Sequence, residues 1–334
     1  MTRLPSTQAI AVEDAGLSRV LEAAVAALQR GDAATLAVVL DTEGSTYARA
    51  GTVVLFSAGG HAGWLSGGCL EPEIERAATQ AAARGRVGWI EIDTRDDAAL
   101  FGASAVGCRG CQRVALLPLN ARGGVETVFR QWLDGAGPLQ LQLDAGGGVQ
   151  LACAGTAYEQ TLPADPLPWP QAQSLWSLHW PPPPRALLLG AGPEAAPLLP
   201  LLQGLGWQVQ VLDPRATWRQ RCQVPSAAAD ASVPLNSGAS GVDAVLVMHH
   251  NFELDLQALQ QLAQGDVPFI GLLGPRRRRD DLFKLLDAEA CKALQDRLHS
   301  PVGLDLGGRG PDAIALSIAA QLQSWRHAVA PPGP

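Results

Sequence analysis

The stretch RALLLGAGPEAAPLLPLLQGLGWQVQVLD, Arg185 to Asp213, decides the fold. It opens with a buried-type strand, turns on Gly190 and Gly192, enters an apolar helical segment, and closes on a second strand at Asp213. Gly190, Gly192 and Ala195 stand in Gly-x-Gly-x-x-Ala spacing. Such glycines permit a tight turn and let a phosphate approach the backbone at a helix N-terminus. Asp213 lies about 20 residues on, where an acid can hold a ribose hydroxyl. Pro193 suits a first helical turn, whereas Pro197 and Pro200 remove backbone donors and predict a kinked or shortened helix. The competing reading is a doubly wound unit that no longer binds a dinucleotide.

Further strand-like runs follow: VDAVLVMHH, VPFIGLLG and PVGLDLG, with helical patterns at LDLQALQQLAQ and RRDDLFKLLDAEACKALQDRL. This alternation predicts a parallel sheet with helices on its faces, a Rossmann-like domain over residues 185–334. His249 and His250 end the third strand, where an imidazole can contact a ligand, exchange protons or simply cap the chain. Arg276 to Arg279 open a helix whose N-terminus is already electropositive. They read as a solvated charge run or as a phosphate site at the carboxyl edge of the sheet.

Upstream, WPPPPR closes a proline-rich stretch, and residues 162–184 are expected to form a stiff linker. Residues 1–161 then make an N-terminal α/β domain. Its signals are an amphipathic helix over 14–30, strands at Thr35–Thr42 and Gly51–Ser57, a short strand at Trp64–Ser66, and a helix from Pro72. Strands VGWIEID and RVALLPL and a hairpin around AGGG complete it.

A chain of 334 residues favours two domains, and 47% hydrophobic with 17% charged residues is globular composition. A net charge of -7 argues against nucleic acid as a partner. Apolar runs are broken by Glu, Pro or Gly before the roughly 20 residues of a membrane span. The N-terminus lacks a secretory pattern, so the six cysteines read as reduced thiols in a cytoplasm.

Three glycine-rich loops each follow a predicted strand: EGSTYARAG (Glu43–Gly51), SGGCLEPE (Ser66–Glu73) and GCRG (Gly107–Gly110). Cys69 precedes a helix N-terminus, which favours the thiolate, a soft metal ligand. The alternative is a packed core thiol. Cys108 and Cys111 form a lone Cys-x-x-Cys, short of four zinc ligands and without a thioredoxin-like context.

With these motifs in order, the chain resembles the XdhC/CoxI family, accessory proteins of molybdenum hydroxylases such as xanthine dehydrogenase, over nearly its whole length. The resemblance is carried by Gly44, Ser45, Thr46, Arg49 and Gly51, by Ser66, Gly67, Gly68, Cys69 and Glu71, and by Cys108 with Gly110. Further along it rests on GAG with Asp213 and Arg215, on His250, Asn251 and Asp255, on GLLGPRRRR, and on SPVGLDLGGRGPDAIALSIAAQL. The chain departs from the family pattern at Pro193, Pro275 and Cys111.

The resemblance implies a molybdenum cofactor chaperone rather than an enzyme. It would bind molybdopterin, protect it while a cysteine desulfurase installs sulfur, and deliver it to an apo molybdenum hydroxylase; a homodimer is expected by analogy. Cys69 becomes a candidate ligand of the molybdenum centre, beside Gly67 and Gly68 as backbone donors and Glu71 as an orienting or dipole-matching acid. Ser45, Thr46, Arg49, Cys108, Gly190, Gly192, Asp213, His250 and Arg276 complete the candidate set, with Arg49 and the Arg276 run suited to a pterin phosphate. The alternatives are an NAD(P)-dependent oxidoreductase using the Rossmann-like unit, and an adaptor that binds no small molecule.

Overall fold

The computed structural model describes residues 10–11, 16–95, 109–119, 124–170, 175–221 and 241–329. The chain forms two compact units, the first reaching Pro183 and the second beginning at Pro184.

In the first unit the described elements are β1 (Ile10–Ala11), α1 (Leu17–Arg30), β2 (Ala34–Gly44), β3 (Val53–Ser57), β4 (Gly60–Ala62), α2 (Glu71–Arg84), β5 (Gly88–Asp93) and β6 (Gly110–Leu119). They continue with α3 (Val125–Leu133), β7 (Leu139–Asp144), β8 (Gly148–Cys153), β9 (Thr156–Thr161) and β10 (Leu175–Trp180). One antiparallel sheet runs β4-β3-β2-β6-β5 and a second runs β1-β10-β7-β8-β9, with β1 alone parallel to its neighbour.

Strand β2 is buried on both faces because its two side-chain rows meet different cores. Leu36, Val38 and Leu40 join α1, α3 and the second sheet around Phe129, Leu141 and Trp180. Ala37 and Val39 pack under α2 with Ile74 and Ala78. α1 contributes Leu17, Leu21 and Leu28, the helical stripe expected from the sequence. Each fully buried aliphatic side chain of this kind contributes about 1.5–3 kcal/mol.

Two expectations fail here. Trp64–Ser66 is a turn; the strand is Gly60–Ala62, and the chain leaves the sheet at Gly63. The 162–184 stretch is not a connector throughout. Leu175–Trp180 pairs with β7, and the alternation in LWSLHW buries Trp176, Leu178 and Trp180. Its prolines flank this six-residue run, so every β10 residue keeps the N–H that the ladder needs. The indole of Trp180 donates to the Gly51 carbonyl at 3.0 Å, tying β10 to the end of the first glycine-rich loop.

The second unit holds β11 (Arg185–Leu189), α4 (Ala195–Gly204), β12 (Gln208–Leu212), α5 (Ala216–Arg221), β13 (Ala244–Val247), α6 (Phe252–Leu262) and β14 (Phe269–Leu272). It ends with α7 (Arg276–Phe283), α8 (Ala288–Leu294), β15 (Leu298–His299) and α9 (Pro311–Val329). The sheet is wholly parallel in the order β12-β11-β13-β14-β15. α4 and α9 cover one face through Leu198, Leu202, Ile318 and Leu322, and α6, α7 and α8 cover the other through Leu259, Leu262, Leu282 and Leu294. Within the unit the order is 2-1-3-4-5, so the winding reverses between β11 and β13. Parallel sheets take their ligands outside the strand ends at such a reversal.

The Rossmann-like architecture expected from the sequence is present, with local differences. The edge strand is Leu298–His299 rather than PVGLDLG, where Pro301 has no N–H to extend the ladder. The helical stretch 278–298 is broken at 284–287, and Asp287 caps the second helix by accepting the Ala290 N–H at 2.7 Å. α4 is held to ten residues, with Pro200 inside it. Among the described residues, no helix is long and apolar enough to cross a membrane.

Trp180→Phe keeps the aromatic bulk but leaves the Gly51 carbonyl unpaired in a buried place. It should lower stability by about 1–3 kcal/mol in urea denaturation; an unchanged midpoint would remove Trp180 as the anchor of this loop.

Candidate functional site

The organising group of the first unit is Glu71, the first residue of α2 and 3% exposed. Its carboxylate accepts the N–H groups of Leu65 (2.9 Å), Ser66 (2.8 Å) and Gly68 (2.7 Å), and the Ser66 hydroxyl as well. Ser66 Oγ in turn accepts the Leu70 N–H at 2.8 Å. Burial alone would raise the Glu71 carboxyl, but the converging Ser66 and Leu65 donors outweigh it and hold the group below the ordinary value of 4.5. The first side chain of α2 therefore reaches back and folds the Ser-Gly-Gly-Cys turn around itself. The carboxylate faces the turn's own amides, and its place in the first turn of α2 also suits the helix dipole.

On this turn Cys69 is exposed at the entrance to α2. Gly67 and Gly68 adopt left-handed φ values of 70° and 106°, which a side chain would strain. A Cβ on Gly67 would also lie 3.0 Å from the Tyr47 ring. The first glycine-rich loop thus touches the second. It meets the third as well: the Ser45 N–H donates to the Arg109 carbonyl at 3.0 Å, and a Cβ on Gly110 would fall 2.6 Å from the Thr46 methyl. The Thr46 hydroxyl is turned inward to the Ala48 carbonyl at 2.7 Å, whereas Ser45 and Arg49 are exposed. Beneath the turn, the buried Gln112 amide reaches the Leu65 carbonyl at 3.4 Å.

Cys108 lies outside the described residues. Cys111 is buried in β6, and burial, with Glu91 and Asp93 nearby, pushes its thiol up to about 11. A thiol that resists ionisation is a poor partner for a redox or metal-binding Cys-x-x-Cys.

In the second unit, the winding reversal gathers Gly190, Gly192, Asp213 and His250. A Cβ on Gly190 would meet the Met248 carbonyl at 2.5 Å, so β13 requires the glycine. Asp213, 1% exposed, accepts the Ala191 N–H at 2.8 Å and three donors of Arg215, its N–H (2.9 Å), Nε (2.9 Å) and Nη2 (2.8 Å). Burial opposes its charge, yet these bonds lower its carboxyl below the ordinary value. Asp213 therefore fastens the glycine turn instead of standing open toward a ribose. The buried Glu194 carboxylate lies 2.9 Å from His250 Nε2, and both groups sit within 3.2 Å of where a Gly192 Cβ would be. The Glu194 side chain thus stands at the mouth of α4, and Pro197, in the first turn of that helix, has no N–H to offer.

Nearby, the fully buried Asp255 bridges His249 Nδ1 (3.1 Å) and Arg278 Nη2 (2.6 Å). The arginine run is not one anion cluster. Arg277, Arg278 and Arg279 each face an acid, Asp281, Asp255 and Asp280, and Arg276 is exposed at the start of α7.

Sequence reasoning overlooked Tyr47, Trp64 and Glu194. The two aromatics interrupt polar, glycine-rich loops, which was the available signal. Glu194 falls at the point of the glycine motif where a carboxylate works against phosphate.

The fold and the Cys69 turn define a two-unit α/β protein that joins a thiol-bearing glycine-loop site to a Rossmann-like unit. Family models described as "XdhC and CoxI family" and "XdhC Rossmann domain" match residues 27–93 and 187–322. The chain belongs to the XdhC/CoxI family. Over 327 residues it is 28% identical to a Bacillus subtilis protein described as a probable subunit of xanthine dehydrogenase, covering 91% of this chain and 97% of that protein. Over 148 residues it is 28% identical to "Uncharacterized protein YqeB" of Escherichia coli, covering 42% of this chain and 27% of that one. A crystal structure from Bacillus halodurans, titled as a xanthine dehydrogenase, superimposes with a TM-score of 0.74 at 22% identity, over 94% of this chain and 96% of that chain.

Because the folded Glu71 carboxyl titrates below its ordinary value, its ionised form stabilises the turn fully above about pH 4.5. That contribution disappears as pH falls through the folded value. Glu71→Gln should therefore cost about 1–3 kcal/mol near neutral pH and speed amide exchange at Ser66 and Gly68, with the difference from wild type shrinking on acidification. Equal exchange at pH 7 would remove Glu71 as the organiser.

Proposed function

We propose that this protein is an accessory factor of a xanthine-dehydrogenase-type molybdenum hydroxylase. In this reading it binds the molybdenum cofactor as cargo at the Gly67–Cys69 turn, shelters it while a cysteine desulfurase supplies the terminal sulfur, and hands it to the apo-hydroxylase. The observation that carries the reading is the exposed Cys69 thiol on a glycine turn that meets the Tyr47 loop, both inside the segment matched to the family.

The donors present fit such a cargo. Cys69 offers a soft, accessible sulfur, suited to a metal bound by sulfur. The Glu71 carboxylate fixes the turn on which the exposed thiol stands. Exposed Ser45 and Arg49 on the adjoining loop supply a hydroxyl and a guanidinium for the phosphate of the pterin. The buried Cys111 takes no part, since its thiol stays protonated at neutral pH.

An NAD(P)-dependent oxidoreductase is the second reading, and the glycine turn of the second unit argues against it. One turn amide is committed to Asp213, Pro193 has none, and the Glu194 carboxylate stands where a pyrophosphate would need to approach.

Protein purified from cells that make molybdenum cofactor should carry molybdopterin, seen as its fluorescent oxidation product, and Cys69→Ala should lose most of it while melting as wild type does. Absence of the cofactor from the wild-type protein, even after incubation with free cofactor, would refute the proposal. Titration with NADH or NADPH should give no saturable change in cofactor fluorescence; micromolar binding would reinstate the oxidoreductase reading.

A further inference from the structure

Two large aromatic side chains stand exposed among the described residues, Tyr47 at 56% and Trp64 at 51%. They come from different loops, yet both lie against the same pair of glycines. The Tyr47 ring is 3.0 Å from where a Gly67 Cβ would be, and the Trp64 ring is 4.0 Å from where a Gly68 Cβ would be. His61 braces Trp64 edge-on, with ring centroids 4.7 Å apart and an interplanar angle of 82°, and itself leans on Phe56 at 6.0 Å. Single exposed hydrophobics are ordinary on a protein surface. Two aromatics set on one left-handed turn, next to an exposed thiol, are a local concentration that marks a binding surface.

We propose that Tyr47 and Trp64 form the ring-binding subsite of the Cys69 turn and take a planar heteroaromatic group, the pterin of the cargo, by stacking. This rests on the reading given under Proposed function. The glycines matter for a steric reason: any side chain at 67 or 68 would fill the space beside the rings, and at 67 it would displace Tyr47. Stacking on aromatic faces tolerates a range of planar heterocycles and needs no directed hydrogen bonds. It also divides the work of the site. The rings hold the heterocycle, Cys69 approaches the metal end, and Ser45 with Arg49 remain for the phosphate.

The test uses the full-length protein and free 6-hydroxymethylpterin, which carries no metal, dithiolene or phosphate. Its fluorescence should be quenched saturably by wild type. Tyr47→Ala and Trp64→Ala should each weaken binding about tenfold or more. Tyr47→Phe and Trp64→Phe should bind like wild type because they keep a stacking face. Matched melting curves would show that the variants fold.

Equal binding by the alanine variants, or no binding by wild type, would overturn the inference. So would alanine variants that bind pterin normally but no longer associate with an apo-hydroxylase, which would assign the aromatics to protein docking. If pterin binds in a Tyr47- and Trp64-dependent way while no molybdenum cofactor is retained, this subsite stands and the cargo reading falls. If the intact cofactor is retained but neither aromatic affects retention or pterin binding, the reverse holds.

Discussion

Everything proposed for the first unit depends on one buried carboxylate. The Glu71 side chain gathers three backbone N–H groups and a hydroxyl from residues 65–68, and so closes a turn that contains two left-handed glycines. Without those acceptor bonds, the buried Leu65 amide would lose its partner, and the Ser66 and Gly68 amides would have to turn to solvent. A flexible glycine pair costs conformational entropy when ordered. Charge-assisted bonds to a buried acid offset that cost, and the result is a rigid platform that leaves Cys69 outward and sets Gly67 against Tyr47.

The second unit uses buried carboxylates in the same way but reaches a different outcome. Asp213 clamps the glycine turn to Arg215, and Asp255 joins His249 to Arg278. Hydrogen-bonded partners of this kind offset the cost of burying a polar group. The consequence is a nucleotide-type fold in which Asp213 and Arg278 are engaged within the unit. Glu194 against His250 completes that closure at the winding reversal, where a dinucleotide fold would otherwise offer open amides. The unit has the parallel sheet, the glycine that lets two strands approach, and the acid at the end of β12, and each makes contacts within the fold.

The sequence made the larger architecture legible because its signals are local. Five-residue apolar runs separated by helical periods specify a parallel sheet wherever they occur, and the Gly190–Asp213 spacing marked its first crossover. The convergence of the three glycine-rich loops was legible only as an expectation, since it depends on β2 and β6 pairing as far as Gly44 and Gly110. Other features were hidden by stronger signals nearby. Prolines on both sides masked the alternation of Leu175–Trp180. The apolar look of PVGLDLG drew attention from the two residues that complete the sheet before Pro301. The role of Asp213 could not be read from its position, because the same place after the second strand serves a ribose or a backbone amide equally well, and only the Ala191 and Arg215 contacts decide which.

The central claim is that the turn presents the Cys69 sulfur to a molybdenum centre. The most direct test is X-ray absorption at the molybdenum edge on cofactor-loaded protein, comparing wild type with Cys69→Ser. The account predicts that the wild-type metal has one more sulfur neighbour than the variant. Identical sulfur shells in the two proteins would contradict it and return Cys69 to a surface thiol beside the site.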